Sequence, residues 1–207
     1  MKIHMLVIAV SLCIAMPLEA HASTLIGNSA NNTLSGGPGP DEIFGDGAAY
    51  DGDVGFNEVD PLRPPSRVNP APAEDQSGND TLFGRDGNDR LYGQGGLDRL
   101  NGGRGADTFV FENSSAWNNT DVIEDYNVAD GDMLDISDLL SAYNAKADNL
   151  ADFVKIEINE KDSIVSIDRD GKGTNYAWTA IAMLENTTML PDVASLVSKG
   201  NLLTSKK

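Results

Sequence analysis

Histidine and cysteine are almost missing from this chain. Both histidines, His4 and His21, and the single cysteine, Cys13, fall within the first 22 residues. From Ser23 to Lys207 there is neither. A Ser-His-Asp triad, histidine-ligated zinc, a thiol nucleophile and an intrachain disulfide are therefore excluded from that stretch. Positive charge is also short: 15 Lys and Arg stand against 32 Asp and Glu, for a net charge of -17. Nucleic acid and anionic membrane surfaces are poor partners for such a chain. Its carboxylates repel one another when compact, and its 21 glycines raise the entropy cost of ordering it. A solvated acidic surface would explain the composition, and so would carboxylates neutralised by bound cations; their spacing has to decide.

The first 22 residues read as a secretory signal peptide. Lys2 supplies the charge, Ile3 to Met16 the apolar run, and Ala20-His21-Ala22 a small-x-small cleavage site. Cleavage is expected after Ala22. The apolar run is shorter than the roughly 20 residues that span a bilayer, so no stable membrane anchor is expected after cleavage. Leu12 before Cys13 also argues against a lipoprotein signal. The expected location is secreted, or extracellular. Without disulfides, an exported fold with a thin core needs another cross-link.

The carboxylates recur with a fixed period. Asp80, Asp89, Asp98 and Asp107 are each nine residues apart. Two residues after each stands an apolar residue: Leu82, Leu91, Leu100 and Phe109. Two residues before each stands a glycine: Gly78, Gly87, Gly96 and Gly105. Upstream, Gly36-Gly37-Pro38-Gly39-Pro40-Asp41-Glu42-Ile43-Phe44 fits the pattern GGxGxDxUx at every fixed position, as does Gly102 to Val110. Gly27 to Ser35 is a weaker copy, with Asn32 in the aspartate slot and Leu34 in the apolar one. Calcium takes six to eight oxygens from carboxylates and carbonyls, and glycine turns let carbonyls converge. The x-U-x triplet reads as a short strand with one inward side chain. One such residue per nonapeptide cannot offset the entropy of ordering the whole unit, so metal must supply part of the difference.

This pattern resembles the RTX, or haemolysin-type, calcium-binding repeat. The resemblance implies an all-β fold: a parallel β-roll over positions 23–110, two nonapeptides per coil, with calcium between same-side turns two repeats apart. It implies Ca2+ as the cofactor, at about three to four ions. Asp80 would then pair with Asp98, and Asp89 with Asp107. The implied ligands are the side chains of Asp41, Asp80, Asp89, Asp98 and Asp107, with Asn32 in a weaker site. The turn backbone would contribute at Gly36, Gly37, Gly39, Gly78, Gly84, Gly87, Gly93, Gly96, Gly102, Gly103 and Gly105.

One interval departs from the period. Between Asp41 and Asp80 the chain runs for more than four repeat lengths instead of one. Gly45-Asp46-Gly47 reads as the start of a turn that ends at Ser77-Gly78-Asn79-Asp80, with a long segment inserted between them. In that register Asp41 faces Asp89, and Asn32 faces Asp80. The insert, about positions 46–75, is acidic and then proline-rich, which favours a surface loop; a further calcium site or a partner contact stays open.

After Val110 the nonapeptide stops. Asp121-Val122-Ile123-Glu124-Asp125-Tyr126 and Gly131-Asp132-Met133-Leu134-Asp135-Ile136-Ser137 resemble the segment that follows RTX repeats in type I secreted proteins. Positions 111–207 are accordingly expected to form a β-rich C-terminal secretion or capping domain with a short terminal helix. Strands are expected over Val154 to Ile158, Ile164 to Ile167 and Ala180 to Leu184, with a closing helix after Pro191. Asp168-Arg169-Asp170-Gly171 spaces its acids like an EF-hand, but Ala177 stands where that loop needs its bidentate Glu, so a turn is expected. Glu124, Asp125, Asp132 and Asp135 are expected in capping and turns. A glycosidase pair among them would lack a substrate-binding segment. An N-terminal signal and a type I-like C-terminal segment imply different export routes, and both lead out of the cytoplasm.

The expected function is that of a non-catalytic, secreted calcium-binding protein whose roll folds on extracellular Ca2+. An adhesin or matrix-binding module is the alternative, with a cell-surface or glycan partner at the insert or the Tyr176/Trp178 region. An accessory or remnant of a type I-secreted hydrolase comes third, because no catalytic domain precedes the repeats.

Overall fold

The computed structural model describes residues 22–28, 30–46, 78–117 and 119–205. The expected signal peptide, except for Ala22, and most of the acidic, proline-rich insert lie outside the described residues. Among the described residues thirteen strands, one 3-10 turn and one α-helix follow in order. Strands β1 (Thr24–Ile26), β3 (Glu42–Phe44), β5 (Arg90–Tyr92), β7 (Thr108–Val110), β9 (Met133–Asp135) and β13 (Leu202–Leu203) form one parallel sheet. The facing sheet runs β2 (Thr33–Ser35), β4 (Thr81–Asp86), β6 (Arg99–Arg104), β8 (Asp121–Ile123) and β12 (Thr179–Leu184), again parallel. From β1 to β9 the chain alternates between the two sheets, which is a β-roll.

The x-U-x triplets form the strands. In each, the middle apolar side chain reaches the core while its neighbours point away. Ile43, Leu82, Leu91 and Phe109 are fully buried, and Leu100 almost so. Register repeats every coil: Leu82 sits opposite Leu100, and Leu91 opposite Phe109, each two repeats further along the chain. Across the insert, Leu34 sits opposite Leu82 and Ile43 opposite Leu91. The insert thus falls within one turn and leaves the alternation of inward residues intact.

The two sheets do not end with the nonapeptides. Strands β8 and β9 add a further coil, with Ile123 opposite Leu100 and Leu134 opposite Phe109. Ile123 and Leu134 are fully buried, so they extend the column of inward residues. Strands β10 (Val154–Asn159) and β11 (Asp162–Ile167) then join β12 in antiparallel register and finish one sheet. Pro191, expected in the first turn of the closing helix, lies outside it: α1 (Val193–Lys199) begins two residues later, and Pro191 precedes the N-cap. Asp192 is its N-cap, accepting from the Ser195 amide, and Gly200 at φ 82° ends it. Leu196 anchors α1 in the core, and β13 behind it completes the other sheet. Among the described residues no helix is long and apolar enough to cross a membrane.

Candidate metal centre

The turns of the roll stack into two rows, one along each edge. On the first edge, Asp41, Asp89, Asp107 and Asp132 occupy equivalent places. The Asp41 amide donates to Asp89 Oδ1 (2.7 Å), the Asp89 amide to Asp107 Oδ1 (2.9 Å), and the Asp107 amide to Asp132 Oδ1 (2.9 Å). On the second edge the Asn32 amide donates to Asp80 Oδ1 (2.6 Å), the Asp80 amide to Asp98 Oδ1 (2.8 Å), and the Asp98 amide to Asp121 Oδ1 (3.1 Å). Each aspartate after Asp41 therefore uses one oxygen to hold the preceding coil.

In four of them the second oxygen is left over. Oδ2 of Asp80, Asp89, Asp98 and Asp107 is buried with no hydrogen-bond partner among the described residues. Unsatisfied buried carboxylate oxygens are costly, and four in equivalent places mark a position built for something else. A methyl group placed on Gly84 would collide with Asp89 Oδ2 and the Gly102 carbonyl. One on Gly45 would meet Asp80 Oδ2 and the Gly93 carbonyl, and one on Gly36 Asp41 Oδ2 and the Gly84 carbonyl. Each cradle thus combines a carboxylate oxygen from one turn with a carbonyl from the next. Among the described residues no three Asp, Glu, His or Cys side chains converge on one point. A cation held here must complete its shell with backbone oxygens, which suits calcium and suits neither zinc nor copper.

Burial pushes these carboxyls toward the neutral form. Asp98 is raised to about 8 by desolvation first and by the neighbouring Asp121 and Asp80 next. Asp107 and Asp121 are each raised to about 7 and Asp132 to about 6, again chiefly by burial. Asp80 and Asp89 shift upward for the same reason. A divalent cation in such a row would hold the carboxylates in their charged form.

The glycine-turn geometry varies along the chain. Gly105 has φ 137°, and its Cβ position is taken by the Gly87 carbonyl; Gly96 meets Gly78 in the same way. Gly87 approaches Gly39, and Gly78 approaches the Ala30 carbonyl. Gly103 has φ 94°, but the equivalent places in earlier turns hold Arg85 at φ 85° and Gln94 at φ 69°. Those two residues accept the left-handed backbone without the glycine that favours it.

All the residues named as ligands from sequence lie in these two rows. Asn32 differs from the others: its side chain bonds locally to the Asn28 carbonyl and reaches Asp80 Oδ1 at 3.1 Å. Two members of the rows were missed by the nonapeptide period. Asp121 follows Asp98, and Asp132 follows Asp107, at intervals longer than two repeats. The available signal was the Asp-x-apolar triplet itself, in Asp121-Val122-Ile123 and Asp132-Met133-Leu134. Asp132 belongs to a turn, as expected, yet it also carries the row one coil further. Asp125 caps a turn, accepting from the Gly102 and Gly103 amides at 3.0 and 2.8 Å. Glu124 pairs with Arg99, and Asp135 accepts from the Ser137 hydroxyl.

Asp168-Arg169-Asp170-Gly171 forms bends and a turn after β11, in which the Asp170 amide donates to Asp168. Arg169 stacks on Trp117 at 3.6 Å and faces Tyr176 at 5.1 Å. Tyr176 and Trp178 are both exposed.

Stacked turns with paired aspartates and converging carbonyls define a parallel β-roll. The repeats that build it are RTX calcium-binding nonapeptide repeats: the model of that family matches four copies over residues 24–49 and 76–109. Two solved structures share the fold. One is the AlgE6R3 subunit of the Azotobacter vinelandii mannuronan C5-epimerase, at 20% identity and TM-score 0.50, over 86% of this chain and 83% of that one. The other is the AlgE6R2 subunit of the same enzyme, at 19% identity and TM-score 0.50, over 87% of this chain and 92% of that one. No curated protein matches the chain at a significant level.

Proposed function

We propose that this chain is an exported, non-catalytic calcium-binding protein whose β-roll folds when it meets calcium outside the cytoplasm. The observation that carries this reading is the set of buried Oδ2 atoms, two on each edge of the roll, that have no partner among the described residues and lie against its glycine turns. Calcium bound there would neutralise the carboxylates and tie successive turns together. Sites for about three to four ions fit the clean turns, each adding roughly 1.4 to 2.7 kcal/mol at ten to a hundred times its dissociation constant. The lack of histidine and cysteine after His21 supports a role without nucleophilic catalysis. The apolar segment before Ala22 supports export. Circular dichroism of the chain from Ser23 onward tests the proposal: a disordered spectrum in EGTA should become a β spectrum in millimolar calcium. Identical spectra in the two conditions would refute it.

A second reading, a calcium-dependent glycan-binding module, is favoured by the aromatic side chains of the C-terminal part. Both tryptophans and Tyr176 carry a cation against their rings, Arg169 at Trp117 and Tyr176, and Lys155 at Trp178 (4.9 Å). The solved neighbours are subunits of a mannuronan C5-epimerase, which is consistent with a polysaccharide partner. Glycan-array binding in calcium that falls at least tenfold in W178A and R169A supports this reading. An array without signal removes it.

A further inference from the structure

The two edges of the roll end differently, and the difference concerns charge. On the first edge the register row of turn-opening residues runs Gly36, Gly84, Gly102 and then Asp125. On the second it runs Gly27, Gly45, Gly93 and then Phe111. Phe111 is buried in the core, so the second row closes on an apolar plug. The first row closes on a carboxylate.

That carboxylate sits beside an oxygen with no partner. Asp107 is 1% exposed, its Oδ2 is unpartnered among the described residues, and that atom lies against the Cβ position of Gly102. In earlier turns the glycine of the next coil presents its carbonyl to this place, Gly84 to Gly36 and Gly102 to Gly84. Around Gly102 the nearest atoms all belong to Asp107. Asp125 stands in register beyond them, oriented by the Gly102 and Gly103 amides. Asp132 closes the same turn, accepting from the Asp107 and Asn127 amides.

From this arrangement we infer that the chain holds an additional divalent-cation site one coil past the nonapeptides, with Asp107 Oδ2 and the Asp125 carboxylate as its ligands. It rests on the calcium reading of the repeats and extends it into a segment that the repeat pattern does not cover. A charged oxygen replaces a neutral carbonyl in this shell, and ligand charge raises affinity for a hard cation. The site therefore binds more tightly than the cradles between glycine turns. It also ties β9, and through it β13, to the metal, because the Asn201 side chain donates to the Asp132 carbonyl and β13 pairs with β9.

Calcium titration calorimetry of the chain from Ser23 onward tests the site. D125A and D125N are both needed, because Asp125 also holds two amides; D125N keeps an acceptor oxygen and loses the charge. Both variants should need more calcium to fold, D125A the more because it also strands the Gly102 and Gly103 amides, and at saturating calcium D125N should bind one ion fewer, the tightest. A full complement of ions at parent affinity in D125N overturns the site and leaves Asp125 as a turn cap. No calcium uptake by the parent chain overturns the repeat reading itself, which is a distinguishable failure. Crystals of the parent chain grown in calcium decide the matter even where a variant does not fold. An ion roughly 2.3 to 2.6 Å from Asp107 and Asp125 oxygens is expected; ions confined to earlier turns overturn the inference.

Discussion

Replacing Asp89 with alanine should leave the chain unable to fold at calcium concentrations that fold the parent. Asp89 sits in the middle of its row. Its Oδ1 accepts from the Asp41 amide, and its Oδ2 faces the Gly102 carbonyl across the cradle. Alanine strands a buried amide, which costs about 1 to 3 kcal/mol. It also removes the charged ligand of one ion, whose binding is worth roughly 1.4 to 2.7 kcal/mol at ten to a hundred times its dissociation constant. The combined loss is a large part of the whole stability of a small domain, about 5 to 15 kcal/mol. Calcium titration followed by circular dichroism should show the folding midpoint raised at least tenfold, or no transition at all. A variant that follows the parent within twofold would show that Asp89 is not part of the metal cradle.

Acid should substitute in part for calcium. The carboxyls of Asp98, Asp107, Asp121 and Asp132 are raised in the folded roll to about 8, 7, 7 and 6, mainly by burial. In an unfolded chain they would titrate near the ordinary Asp value of about 3.9. The folded state thus binds more protons between these limits. Their contribution to metal-free stability is fully present below the unfolded value and is lost as pH rises through about 6 to 8. In EGTA the chain should therefore be least folded at pH 8 and gain β structure as the pH falls toward 5. Calcium competes with those protons, so adding it near pH 6.5 in weak buffer should release protons, and its midpoint should rise on acidification. An EGTA spectrum more disordered at pH 5 than at pH 8 would contradict the row of neutralised carboxylates.

Much of the cradle was legible because the repeat writes its geometry into a period. A glycine, an aspartate and an apolar residue at fixed offsets determine a turn, a ligand and an inward side chain. Leu82, Leu91, Leu100 and Phe109 could be placed in one core from spacing alone. The interrupted turn was legible for the same reason, since Leu34 and Ile43 had to stay in phase with Leu82 and Leu91. Beyond Val110 the period fails. Asp121 and Asp132 reach the right height only because the connections before them are longer than those of the nonapeptide coils, and a slightly longer loop adds little closure entropy.

The coil is written in the repeat: one nonapeptide per half-turn, one carboxylate per turn, and too little apolar surface per unit to hold without a cation. Those properties are local, set by glycine conformation and by the alternation of side chains along a strand. How the coil ends is set by long-range pairing. That β12 and β13 add to the two sheets of the roll, that Phe111 plugs one edge, and that Asp125 charges the other follow from register between strands distant in sequence. Pairing of that kind is fixed by hydrogen bonding across the sheet and burial of a shared core, and no spacing along the chain records it.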